Sequence, residues 1–198
     1  MKIRSMGLLA LLAVAGLMMF ACEASVDDGE TTDTVTGTDT VADTTPATTY
    51  SWIRIADDPT NSTLDNCTVN PGADIDAIAV YRGGALLGWA GKIIATNLGD
   101  VCTGSPADDP NAALGPSDET DGSDSDNLFV ALNGGEIVAR IDDEITGDQI
   151  VLQEGDQVWV YEVVGTAPEY YYVDLCEDQN CATSIEIGHG TGEGKFTC

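Results

Sequence analysis

The chain has 198 residues, with 34 acids against seven basic residues and a formal net charge of −27. So few cations exclude nucleic-acid binding through phosphates, which needs a basic face. A single histidine, with no GxSxG, HExxH or phosphate-cradling glycine loop, leaves catalysis little to stand on, and the expectation is a protein that is not an enzyme.

At the N-terminus, Lys2 and Arg4 precede Met6 to Ala21, an uncharged apolar run. It is shorter than the ~20 residues a membrane-spanning helix needs and suits the apolar part of a signal peptide. The run ends Met19-Phe20-Ala21-Cys22, which resembles the bacterial lipobox. Ala21 and Cys22 fit that pattern, and Met19 and Phe20 depart from it. The resemblance implies a leader over 1–21, cleavage before Cys22, acylation of Cys22 and a lipid-anchored protein of the cell envelope, most simply the outer membrane. Cleavage near Ala24 as an ordinary secreted protein is the alternative. Removing the leader leaves five basic residues against the same 34 acids, a net charge of −29. Such a charge favours solubility, opposes compaction and repels anionic lipid.

Residues 23–49 hold ten threonines and seven acids, with no basic or aromatic residue. This composition cannot bury enough apolar area to offset chain entropy, so 22–49 reads as the lipidated cysteine and a spacer that its own charge extends. Composition changes at Tyr50, and 50–198 reads as one domain. Short runs rich in Val, Ile, Tyr and Trp follow, separated by Gly, Asn, Asp and Pro clusters. They begin with SWIRIA and continue over 74–82, 91–97, 127–132, 135–141, 148–153, 157–163, 169–175 and 182–187. No segment keeps apolar residues at helical spacing for three turns. Eight or nine short strands predict an all-β fold, a β-sandwich of the jelly-roll kind. The strand-poor interval 98–126 predicts a long loop, functional or disordered.

Export makes disulfides the first reading of the cysteines. Cys176 and Cys181 bracket a short loop and form the first pair. Cys67 and Cys102 form the next. Cys198 is odd: it can replace a partner, stay reduced or crosslink two molecules. Zinc competes for the CxxxxC spacing, with only one histidine to help it.

Calcium is the better-motivated ion, because it takes many carboxylate and carbonyl oxygens from loops. No basic residue lies between Lys92 and Arg140, and that interval holds nine acids, several of them in DETDGSDSDN. The order is not that of an EF-hand. Alternation puts Glu162 on one face with Val158 and Val160, where a carboxylate is costly unless paired or metal-bound. Arg140 and Arg82 are the available partners. The expected calcium ligands are Asp74, Asp76, Asp118 and Glu169, with Glu162 next. For His189, inside a run of alternating glycines, a turn histidine stands against a serine triad, and the run itself has no following helix to make a nucleotide site.

The segments PGADIDAIAVYR, NAALGPSD, FVALNGGEIVARI, DQVWVYEVVG and EYYYVDL resemble an uncharacterised secreted jelly-roll domain of bacterial surface proteins and lipoproteins, over roughly 70–198. Leu114-Gly115-Pro116-Ser117-Asp118 corresponds to its ALGxPD-like motif, with Ser117 inserted. Asn133-Gly134-Gly135 is a shortened glycine turn, and Tyr161-Glu162 and Glu169 fall on its later acidic positions. The resemblance implies a sandwich close to carbohydrate-binding and discoidin-like domains, acting as a surface or adhesion module. The expected function is therefore a non-catalytic surface module, calcium-stabilised, that binds a glycan or a surface protein. A ligand-free structural envelope protein and a secreted hydrolase are the alternatives. Rings exposed on one sheet face would favour the first, and Tyr170, Tyr171, Tyr172, Trp89, Trp159 and Tyr161 are available.

Overall fold

Apolar residues alternating with polar ones build the strands of the domain. The computed structural model describes residues 48–67, 70–102, 107–118, 128–163 and 168–198. The expected leader, Cys22, nearly all of the linker, and Glu119 to Asn127 of the acidic loop lie outside the described residues. Strand β1 spans Trp52–Asp57, and alternation buries Ile53, Ile55 and Asp57. One helical turn, α1, spans Ser62–Asn66. Then come β2 (Asp74–Arg82), β3 (Ala85–Asn97), a 3-10 turn over Pro110–Ala113, β4 (Val130–Ala131) and β5 (Glu136–Asp143). The chain ends with β6 (Gln157–Glu162), β7 (Tyr170–Cys176), β8 (Ser184–Thr191) and β9 (Gly194–Thr197). The fold is all-β, as expected, with nine strands among the described residues.

The strands pair antiparallel in the order β8-β7-β1-β5-β3-β2-β6-β9, with β4 added on β2. β8 and β9 are consecutive in the chain, joined only through Gly192 and Glu193, yet they occupy opposite ends of that order. The sheet therefore bends until its edges meet. The long strand β3, with shifts in its pairing to β5 between Ala90 and Lys92 and between Ile93 and Ala95, lies midway along it. Irregularities of this kind let a strand turn from one layer to the next. The result is a sandwich wrapped round one core, to which Ile53, Ile55, Ile78, Val80, Ile137, Ile141, Val158, Val160, Val173 and Leu175 contribute.

The glycine run closes this wrap. A Cβ at Gly188 would lie 2.1 Å from the Phe196 ring, and one at Gly194 would lie 2.3 Å from the Tyr171 hydroxyl. Bare backbone thus lets Phe196 of β9 sit against β8, edge-on to Tyr171 at 6.1 Å. The Tyr171 hydroxyl donates to the Gly192 carbonyl at 2.8 Å. Both expected disulfides form, Cys67–Cys102 and Cys176–Cys181. The first fastens α1 to the segment after β3. Cys198 takes part in neither; its backbone N–H donates to the Asp156 carbonyl.

Two expectations about strands need correction. The run 148–153 makes only isolated bridges, Gln149 to Asp142 and Leu152 to Tyr50. β9 was not expected, because its four residues hide at the end of the glycine run.

Candidate functional site

Each of the three tryptophans, Trp52, Trp89 and Trp159, is only half-buried, and none belongs to the core. All three point outward from the sheet. In β6 the inward row is Val158, Val160 and Glu162, leaving Trp159 and Tyr161 outside. In β2 the inward residues Ile78 and Val80 leave Ala77, Ala79 and Tyr81 outside. Pairing then lays one outer row across five strands: Lys195, Trp159, Ala79, Trp89 and Asp142. Tyr161 sits opposite Ala77 in the next outer row. Ala77 and Ala79 are fully covered although they face outward, so the larger neighbouring rings close over them.

These rings touch in a chain. Tyr81 and Trp159 have centroids 4.3 Å apart, Trp159 and Tyr161 6.4 Å, and Trp89 and Tyr161 5.6 Å, with planes tilted by 31° to 43°. The rim is polar. The Trp159 indole N–H donates to Gln157 Oε1 at 3.4 Å. Lys195 Nζ lies 3.7 Å from the Trp159 ring centroid and 3.2 Å from Glu193. Burial and a hydrogen bond with Tyr81 hold the Tyr161 phenol well above its ordinary pKa. It is therefore a neutral hydroxyl at physiological pH. The rings expected to be informative divide: Trp89, Trp159 and Tyr161 belong to this pavement, and Tyr171 is core. Tyr172 and Tyr170 flank His189 at 4.4 and 5.5 Å.

At one end of the sandwich the interior holds acids. Asp57, Asp74, Asp76, Glu162 and Glu169 are all buried. Asp57 accepts from Asn61, from the Ala73 N–H at 3.1 Å and from the Gly134 N–H at 2.7 Å. Burial pushes its pKa up, and these donors pull it back. Glu162 Oε2 accepts from the Gly192 N–H at 2.6 Å, which ties β6 to the β8–β9 corner. Its Oε1 is buried with no donor among the described residues. Burial pushes Glu162 up to about 7, and the nearby Asp57 charge adds to the effect. Glu169, which accepts from Thr63, is pushed to about 8, by burial first and then by Glu162 and Asp57. Near pH 7, then, Glu169 is mostly protonated and Glu162 about half so.

The expected calcium ligands do not form a single group. Asp76 accepts from the Ser117 hydroxyl and, at 3.4 Å, from the Asp118 N–H, so it anchors the segment after the 3-10 turn. Asp118 itself is exposed. Glu162 and Glu169 act on each other and on Asp57, and Asp74 adjoins Glu162 through the Val163 N–H, which donates to the Asp74 carbonyl. Among the described residues no three His, Cys, Asp or Glu side chains converge as metal ligands. The expected arginine partners of Glu162 are corrected: Arg82 pairs with Asp156 at 2.7 Å and Arg140 with Asp142 at 2.6 Å. His189 is on β8 rather than in a turn, with Nε2 2.8 Å from Asp58 Oδ2.

Sequence reasoning missed Asp57 and Tyr81. Both carried a signal. In WIRIAD, Asp57 has the parity of Ile53 and Ile55. In DIDAIAVYR, Tyr81 has the parity of Ala77 and Ala79, opposite to the apolar row. No protein-family model, curated protein or solved structure matches the chain.

Proposed function

We propose that this is a lipid-anchored envelope protein whose sandwich is a non-catalytic binding module, held off the membrane by its spacer and engaging its ligand through the outer aromatic face. The observation that carries the reading is the placement of the tryptophans. Trp and Tyr contribute most per residue when buried, and they recur as anchors in binding surfaces. Here every tryptophan is withheld from the core and two join a ring pavement with a polar rim. Cross-strand packing is what a purely structural envelope protein would draw from such rings, and the stability of the tryptophan variants separates the two readings.

Anchoring is tested by fractionation. The native chain should partition with membranes and carry an acylated N-terminal peptide by mass. The Cys22→Ser chain should be soluble. Unchanged membrane association and peptide mass in that variant would end the lipoprotein reading. The binding role is tested through Trp89 and Trp159, as set out below.

A further inference from the structure

The chemistry of the aromatic face narrows the kind of ligand, on the premise that this face is the binding surface. A polyanion is opposed by a mature charge of −29, and two of the three cations beside the pavement are already matched. Lys195 faces Glu193 and Arg140 faces Asp142. A basic partner would be drawn to acids over the whole body and not to this face. Three of the five mature-chain cations, Lys92, Arg140 and Lys195, stand on or beside it. A protein partner would also use rings, but the core of such an interface is largely apolar, and the exposed large apolar residues Val101, Ile145, Val151 and Tyr170 all lie outside β2, β3, β6 and β9. What remains on offer is ring faces, phenol hydroxyls, one amide, Lys92 and two matched ion pairs. That set complements a molecule with flat C–H faces and many uncharged hydroxyls.

We propose that the outer face of β3, β2, β6 and β9 binds an uncharged glycan, with pyranose rings stacked on Trp89 and Trp159 and hydroxyls meeting Gln157, Tyr161 and Lys195. The two indoles flank Ala79 from neighbouring strands on either side, so they stand two strand spacings apart, roughly 10 Å. One sugar cannot cover both, and the ligand is an oligomer lying across the strands. The rings are already held by one another and by Gln157, so little ordering cost remains on binding.

The test uses the full mature chain, made soluble by Cys22→Ser, in native gels cast with hydroxyethylcellulose, galactomannan, arabinoxylan or dextran. Polygalacturonate serves as the anionic comparison. At least one neutral polymer should retard the protein, with little dependence on salt, and oligosaccharides should compete far better than the monosaccharide. Trp89→Ala and Trp159→Ala should each weaken retardation by about tenfold or more. Trp159→Phe should keep part of it, and Tyr170→Ala, in the other ring cluster, should keep all. Melting curves confirm that each variant is folded. Retardation by none of the neutral polymers, by polygalacturonate alone, or equally in both alanine variants overturns the glycan. Capture by a protease-sensitive envelope component, lost in the same two variants, also overturns it but leaves the binding-module reading standing. Loss of both kinds of binding removes that reading too.

Discussion

The outer face of β2, β3 and β6 and the interior end beside Asp57, Glu162 and Glu169 invert each other. On the first, large rings stand where a soluble protein usually puts charge. In the second, carboxylates stand where it usually puts rings. The two inversions are handled differently. The rings cover one another and two alanines, so their exposure costs little and leaves contact surface for something else. The acids are held by backbone N–H groups and by protons. The Gly134 and Ala73 amides satisfy Asp57, and the Gly192 amide satisfies one oxygen of Glu162. An inversion that is internally satisfied is architecture. One that presents unfilled contact surface outward is a candidate for recognition.

The largest expected effect is at the acid end. Gly72 has φ +83°, and a Cβ there would lie 1.9 Å from Asp57 Oδ2. Gly72→Ala should cost roughly 3–5 kcal/mol in urea unfolding, since it combines a disfavoured backbone with displacement of a buried carboxylate. A cost below about 1 kcal/mol would mean that Asp57 moves freely and that this end is not rigid.

The pH profile comes next. Glu162 and Glu169 have folded pKa values raised from 4.5 to about 7 and about 8. The native state therefore binds protons more tightly than the unfolded chain. Their contribution is fully present below pH 4.5 and is lost as pH rises through 7 and 8. Asp58 and Asp143 are lowered, by hydrogen bonds from Thr60 and from the Thr146 and Ile145 amides respectively, and their contribution is lost only as pH falls below their ordinary 3.8. Stability should thus peak on the acid side of neutrality and fall by a few kcal/mol between about pH 5 and about pH 8.5. Glu162→Gln keeps an acceptor for Gly192 and removes one titration, so it should flatten the fall. A profile flat across this range in the native chain would show that the acids are already solvated or paired.

A divalent cation could do at pH 8 what protons do at pH 5. If the acids take calcium, millimolar calcium should raise the melting temperature over chelator at about pH 8, and much less at about pH 5. At ten times its dissociation constant the ion would stabilise by about 1.4 kcal/mol, a few degrees for a domain of this size. Magnesium at matched ionic strength separates this from screening. Identical melts in calcium, magnesium and chelator at pH 8 would leave the proton as the only neutralising agent.

Much of this architecture was legible in the sequence, and the exceptions share a cause. The bounds of β2 were readable from its apolar run, although a register shift after Ile75 breaks its alternation, and β6 was nearly readable to the residue because alternation there is strict. The same alternation placed Glu162 inward. Both disulfides were expected, Cys176–Cys181 from its short loop and Cys67–Cys102 from its place about the first strands, on the export that the N-terminal run implies. The closing corner was not legible. Gly188 and Gly190 read as turn residues because a bare strand serving a distant ring has no local signature, and Phe196 supplies the reason only across the fold. The split of the acids was hidden for a similar reason. In a chain with 34 carboxylates, composition cannot say which ones face a backbone amide, and Asp76 found the Ser117–Asp118 segment while Glu162 found Gly192.

The smallest expected effect on stability is the most informative about the outer face. A core aromatic truncated to alanine costs about 3–5 kcal/mol, because buried area is lost and a cavity remains. Trp89 and Trp159 are half-exposed, and their removal opens a surface that water can fill. Trp159→Ala loses the ring contacts with Tyr81 and Tyr161, the Lys195 cation–π contact and the long bond to Gln157. Tyr81 and Tyr161 can partly re-cover Ala79. We therefore expect Trp89→Ala and Trp159→Ala each to lower stability by only about 1 kcal/mol, against about 2–5 kcal/mol for Ile53→Ala in the core, by chemical denaturation at one pH. A tryptophan cost equal to that of Ile53 would make the pavement a second core layer, with packing alone explaining its rings. A cost near 1 kcal/mol together with lost retardation in polysaccharide gels would separate the two roles, since a residue that contributes little to folding and much to binding is placed for its ligand.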